Sequence, residues 1–175
     1  MFLKLRSLQG DHEHVEKRYE PGLFEGIGGD AFRIVSPVTV AFDIDRQAKG
    51  RYHVAGHLSA EVEATCSRCL EPFTLPVAAD FDLGYVPRTE NLGEGEREIE
   101  EDDLTTAFYA DDQIDLRELI AEQLHLAMPM KALCSEDCKG LCPQCGTNLN
   151  TATCSCDPQW TDPRLSALKN LVREN

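Results

Sequence analysis

Eight cysteines fall in four close pairs, Cys66-x-x-Cys69, Cys134-x-x-x-Cys138, Cys142-x-x-Cys145 and Cys154-x-Cys156. Four pairs supply the thiolates for two tetrahedral metal sites. Zinc favours soft sulfur ligands in that geometry, at about 2.3 Å. Two cysteines separated by two residues can bend around one ion while backbone amides of the turn donate to the sulfurs. Gly140 stands ahead of the Cys142-Pro143-Gln144-Cys145-Gly146 knuckle, and Gly146 offers the positive φ that such a turn often needs. All-cysteine sites are closed, whereas catalytic zinc keeps an open position with histidine or carboxylate ligands. Two structural Zn²⁺ ions are therefore expected.

Other cysteine chemistry fits less well. Disulfides suit secreted domains, but Met1–Arg6 alternates apolar with basic residues and lacks a signal-peptide core. A redox role for Cys142-Pro143-Gln144-Cys145 wants a strand-to-helix setting, and this motif lies in a Gly/Asn-rich loop. An iron–sulfur cluster also uses four thiolates and stays open as an alternative. So does the grouping of the pairs. Loop economy favours Cys142, Cys145, Cys154 and Cys156 as one site, with Cys134 and Cys138 reaching back to Cys66 and Cys69. The competing arrangement unites Cys134, Cys138, Cys142 and Cys145.

The elements that must hold these cysteines are read from periodicity. Val38, Val40, Phe42 and Ile44 alternate with smaller or polar neighbours. Tyr52, Val54, Gly56, Leu58, Ala60, Val62 and Ala64 repeat the pattern, as do Phe73, Leu75, Val77, Ala79, Phe81, Leu83 and Tyr85. A period of two with short connections predicts antiparallel strands, one face dry and one wet. Cys66 and Cys69 then sit on the turn between two strands. A helix is expected over 115–128. Asp115 is its cap, Glu118 stands three residues on as in a capping box, and Leu116, Leu119, Ile120, Leu124 and Ala127 form its apolar stripe. Pro129 ends it. Asp162 and Pro163 predict a short terminal helix with Leu165, Leu168, Leu171 and Val172 on one side.

The expected fold is α+β: an antiparallel β-meander or open, barrel-like sheet packed by one capped helix, then a cysteine-rich segment. Residues 1–128 form the β-rich core, with an acidic loop at about 87–103. Residues 129–175 form a zinc-binding tail packed back on it.

The formal net charge is −14, 42% of residues are hydrophobic and 27% charged. Between Asp80 and Glu122 the acids are opposed only by Arg88, Arg97 and Arg117. Such a belt repels phosphate backbones and suits a basic partner. No apolar run approaches the roughly 20 residues that cross a bilayer, and a cytoplasmic location is expected. His12 and His14 lie in a polar N-terminal stretch, His53 and His57 on a strand, His125 on the helix. None joins a phosphate loop, a nucleophile elbow or a His-Glu-x-x-His helix, so no enzyme or small-molecule substrate is indicated.

The run Cys134-Ser-Glu-Asp-Cys138-Lys-Gly-Leu-Cys142-Pro-Gln-Cys145-Gly-Thr-Asn-Leu-Asn150 resembles the signature of the YceD family. So does Cys66-Ser-Arg-Cys69-Leu-Glu-Pro-Phe73, and Ile114-Asp115-Leu116 and Asp162-Pro163-Arg164-Leu165 also match its pattern. The resemblance implies a factor needed for accumulation of 23S ribosomal RNA, through its synthesis, processing or stability. Metal ligation would carry over onto all eight cysteines. Implied partners are a large-subunit ribosomal protein, an assembly factor or a local rRNA element. Arg68, Lys131, Lys139 and Arg164 flank the cysteine motifs and are candidate partner contacts, with solubilising charge as the plainer reading. Two alternatives accompany this: an adaptor with protein partners only, and a metal-assisted RNA-processing enzyme using Asp102, Asp103, Asp111 and Asp112. Flexible acidic runs rarely preorganise a metal, which weighs against the enzyme.

Overall fold

The computed structural model describes residues 1–8, 10–88 and 105–156. The predicted acidic loop from residue 89 onward and the predicted terminal helix lie outside these residues, as do Asp102, Asp103 and Arg164. The described chain is mostly sheet with one α-helix.

Three strands form the spine: β4 (Val38–Arg46), β5 (Tyr52–Thr65) and β6 (Pro72–Pro87). Each follows the predicted alternation. Val38, Val40, Phe42 and Ile44 on β4, Val54, Leu58 and Val62 on β5, and Val77, Phe81 and Tyr85 on β6 are buried. Antiparallel registers such as Val40↔Leu58 and Leu58↔Ala79 keep these apolar positions on one face. Gly56 sits opposite Phe42 on one side and Phe81 on the other. A Cβ there would strike the Phe42 side chain and the Ala41 carbonyl. The missing side chain lets the two phenylalanine rings approach to 6.5 Å between centroids.

The sheet is wider than the three-strand pattern suggests. β2 (His12–Tyr19) pairs with β4, and β3 (Phe32–Ile34) pairs with the far end of β5, both antiparallel. On β2 only Val15 is buried, so its apolar period is too weak to read. The opposite edge departs from a purely antiparallel meander: β7 (Thr106–Tyr109) lies parallel to β6. A parallel neighbour needs a long crossover rather than a hairpin, and the residues between Arg88 and Thr105 supply the length. β1 (Phe2–Lys4) and β8 (Gln113–Asp115) form a separate two-stranded sheet.

Helix α1 (Leu116–Ala127) follows β8 directly. Asp115 caps it by accepting from the Arg117 amide at 2.8 Å. Leu116, Leu119, Ile120 and Leu124 are buried in the same core as the strands, with Ala127 partly buried beside them. The helix stops at Ala127, since Met128 precedes Pro129 and takes an extended conformation. No described helix is long and apolar enough to cross a membrane.

Candidate metal centres

The β5–β6 turn carries the first knuckle. Cys66 N donates to Glu71 O (2.9 Å) and Leu70 N to Cys66 O (3.0 Å), curling Cys66–Cys69 into a tight loop. The second knuckle repeats the wiring. Cys142 N donates to Thr147 O (2.8 Å) and Gly146 N to Cys142 O (2.9 Å). The residue after the last cysteine has positive φ in both: Gly146 at 73° and Leu70 at 61°. Glycine takes that conformation freely and leucine does not. Leu70 is also exposed.

The thiols gather in two quartets: Cys66, Cys69, Cys134 and Cys138, then Cys142, Cys145, Cys154 and Cys156. Within each, the sulfurs all lie within 4.8 Å of one another. This is the grouping that loop economy favours. In the first, Cys66 Sγ stands 3.8 Å from Cys138 Sγ, and Cys69 Sγ 3.7 Å from Cys134 Sγ. Thiolates at about 2.3 Å from one tetrahedral ion are about 3.8 Å apart, so the spacing suits a single bound ion. Cys66, Cys69, Cys138 and Cys142 are buried, while Cys134 and Cys145 are exposed.

Charge is unevenly shared within each quartet. Backbone donors at Cys134, Cys69 and Arg68 outweigh burial and hold the Cys66 thiol down at about 6. The Thr147 hydroxyl, 3.2 Å away, and its backbone amide bring Cys145 to about 6. Burial pushes Cys138 up, but the Asn150 side-chain amide and the Gly140 amide leave it below its ordinary value. Burial and neighbouring thiols push Cys134 up to about 12, and Cys145 and burial do the same to Cys156. Each quartet thus mixes sulfurs that lose a proton readily with sulfurs that keep it. A cation among them relieves their mutual repulsion, and binding it releases the retained protons.

Of the flanking basic residues, Arg68 is engaged locally. Its Nη1 donates to Glu136 O and Cys138 O, both at 2.9 Å, tying the Cys134–Cys138 loop to the first knuckle. Lys131 and Lys139 are exposed. Asp111 and Asp112 make the turn between β7 and β8 with φ of 54° each, and Asp112 accepts from Arg6 at 2.6 Å.

The histidines form an arrangement that residue-by-residue reading missed. Strand pairing places four of them on the wet face, each against an aspartate. The pairs are His12–Asp45 (2.7 Å), His14–Asp43 (2.8 Å), His53–Asp82 (2.6 Å) and His57–Asp80 (2.7 Å). The signal is the shared parity of both residue types along the strands, and it becomes visible only with the register. The fifth, His125, meets Ile27 O at 2.9 Å.

At the other end of β6, a groove of about 740 Å³ runs between α1 and β7. Phe2, Phe108 and Leu126 line it as exposed apolar groups, and Asp111, Glu118 and Glu122 add carboxylates. Burial, then the Glu118 charge, raises the Glu122 carboxyl above its ordinary value.

Fold and sites together define a sheet protein whose cysteine-rich loops gather into two thiol quartets of metal-binding geometry. The family model described as large ribosomal RNA subunit accumulation protein YceD matches residues 54–172. The chain belongs to this family. It is 32% identical over 161 residues to the chloroplastic YCED homolog 1 of Zea mays, covering 79% of this chain and 54% of that protein. The Arabidopsis thaliana homolog is 26% identical over 162 residues, covering 78% and 49%. The chain thus spans about half the length of these plant relatives. The uncharacterized protein YlbN of Bacillus subtilis is 30% identical over 145 residues, covering 82% of this chain and 78% of that one. No solved structure matches the chain.

Proposed function

We propose that this chain is a non-enzymatic, zinc-organised factor in large ribosomal subunit biogenesis, acting in the cytoplasm to support accumulation of 23S rRNA. The observation that carries the reading is family membership across residues that include both thiol quartets. The eight cysteines are the proposed ligands, four to each Zn²⁺. The close sulfur spacing favours one ion per quartet over a multi-iron cluster, whose thiolates bind different irons. In this reading 1–128 is the β-rich core and 129–175 the cysteine-rich, zinc-binding tail. Arg68, Lys131, Lys139 and Arg164 are the basic groups proposed to meet a large-subunit protein, an assembly factor or a local rRNA element, and Arg68 also ties the Cys134–Cys138 loop to the first knuckle.

The test is complementation of a deletion strain, with 23S and 16S rRNA quantified separately. Selective loss of 23S, restored by the wild-type chain but not by Cys66→Ser/Cys138→Ser, is the expected result. Normal 23S, or equal loss of both rRNAs, would refute the proposal.

One observation favours a second reading, an adaptor with protein partners only. The groove beside α1 sets the Asp111, Glu118 and Glu122 carboxylates beside an apolar lining, with Arg88 at its margin and Asp115 held by the N-terminal amine at 3.4 Å. It suits a basic amphipathic segment of a ribosomal protein, steered there by charge. Binding to such a segment that weakens steeply with salt, with no RNA binding, would select this reading. RNA binding by the purified chain that is lost on charge reversal at Lys131 and Lys139 would exclude it.

A further inference from the structure

Asn150 carries no thiol, yet its side chain joins the two quartets. It belongs to the loop between Cys145 and Cys154, within the span of the second centre. Its Nδ2 lies 3.3 Å from Cys138 Sγ, a sulfur of the first centre, and its Oδ1 accepts from the Lys139 amide at 2.8 Å. The second Nδ2 proton goes to Asn148 Oδ1, at 2.9 Å. This network fixes the orientation of the carboxamide. Flipped, its oxygen would face Asn148 Oδ1 and the sulfur, and its nitrogen would face a backbone N–H.

The loop that aims this donor is built by the second centre. Cys142 pairs with Thr147, Leu149 N donates to Gly140 O at 2.9 Å, and Leu141 bridges to Asn148. Asn148 Oδ1 also accepts from Asn150 N at 3.0 Å, holding the residue in place. Two further bonds reach the first knuckle: Leu141 N to Arg68 O (3.2 Å) and Asn148 Nδ2 to Glu71 Oε1 (3.5 Å). Asn150 is the one that ends on a ligand-type atom.

We infer that Asn150 is a positioning residue that couples the two centres: an ion in the second fixes the loop, which turns the Asn150 amide onto Cys138 and strengthens ion binding in the first. Coupling of this kind is reciprocal, so an ion in the first centre strengthens the second by the same factor. Outer-shell hydrogen bonds to metal ligands are commonly worth 10–100-fold in affinity, and that is the size expected here. The inference rests on the two-zinc reading of the quartets but not on the ribosomal role.

The test is competition for zinc against a chromophoric chelator, using the full-length chain with its fold checked by circular dichroism. First-centre affinity is measured for the wild-type chain and for Asn150→Ala, each with the second centre intact or removed by Cys154→Ser/Cys156→Ser. Asn150→Ala is expected to keep two zinc ions per chain while first-centre affinity falls 10–100-fold. Removing the second centre should produce the same fall, with no further loss when both changes are combined. Asn150→Asp keeps the acceptor for Lys139 but loses the donor, and should weaken the site at least as much as alanine. An Asn150→Ala effect that is equally large without the second centre would make the residue a local support and overturn the coupling. Unchanged first-centre affinity in Cys154→Ser/Cys156→Ser would overturn it too. Fewer than two zinc ions in the wild-type chain would instead refute the metal reading beneath it.

Discussion

Replacing Cys69 with serine should destabilise the protein more than replacing Cys154, and loop length sets the difference. An ion stabilises the fold only to the extent that the unfolded chain cannot also bind it. The second quartet is local: Cys145 and Cys154 are nine positions apart, so an unfolded chain can still wrap an ion there. The first quartet joins Cys69 to Cys134 across 65 positions. Closing the longer loop costs (3/2)RT ln(65/9) more, about 1.8 kcal/mol at 25 °C. The reciprocal coupling through Asn150 enters both variants alike and cancels in the comparison. For a chain of this size each kcal/mol shifts Tm by about 2–4 °C. With zinc saturating, Cys69→Ser should therefore melt about 4–7 °C below Cys154→Ser in differential scanning calorimetry. Equal melting temperatures, or a lower one for Cys154→Ser, would show that the first centre does not clamp a distant segment to the sheet.

Other outcomes follow from single residues. Gly56→Ala should cost about 1–3 kcal/mol in urea unfolding, because its Cβ strikes backbone and the Phe42 side chain inside the core; a neutral effect would mean that the β4–β5 spacing adjusts freely. Leu70→Gly should stabilise by about 0.5–1 kcal/mol, since it relieves a left-handed leucine that is 62% exposed. A loss of stability there would mean the side chain packs on something in solution. His12 should titrate above its ordinary value of 6.5, because the Asp45 hydrogen bond and charge favour its protonated form. Its contribution is present below pH 6.5 and fades as pH rises through the raised value. Asp45→Asn should return the NMR midpoint of His12 toward 6.5 and destabilise the protein at pH 6 but not at pH 9, and an unmoved midpoint would rule out the pairing. Glu122→Gln should raise Tm at pH 7, where burial and Glu118 disfavour the carboxylate, and change little at pH 3.

Strong, long periodicity was readable from the sequence. β4, β5, β6 and α1 each carry an apolar face of four or more residues, and each stands where the pattern placed it. β2 has one buried side chain, and β1, β3, β7 and β8 are too short for a period to accumulate. The parallel partner of β6 was hidden for a topological reason, since no local pattern tells which way a strand returns after a long charged crossover. Spacing favoured the observed quartets by loop economy but left the grouping of Cys134, Cys138, Cys142 and Cys145 open, because joining Cys69 to Cys134 across 65 positions depends on the tertiary fold. Leu70 was not legible, as nothing in its type announces a positive φ. Arg68 stood among the candidate partner contacts on type and position alone; it is exposed, and two carbonyls of the Cys134–Cys138 loop accept from its guanidinium, a bond that its place in the sequence does not announce.

The β5–β6 hairpin also sets a distance. Its register runs through fourteen pairs, from Thr65↔Pro72 beside the first knuckle to Tyr52↔Tyr85 beside the groove at α1. At about 3.4 Å per residue its two ends stand roughly 40 Å apart once twist is included. A surface patch at the knuckle and a groove at the base are thereby carried at a fixed separation on one stiff ribbon. Two neighbours held by this chain would be gauged against each other, and a two-residue deletion from each strand, which preserves side-chain parity, would bring them closer by about 7 Å without altering either contact surface.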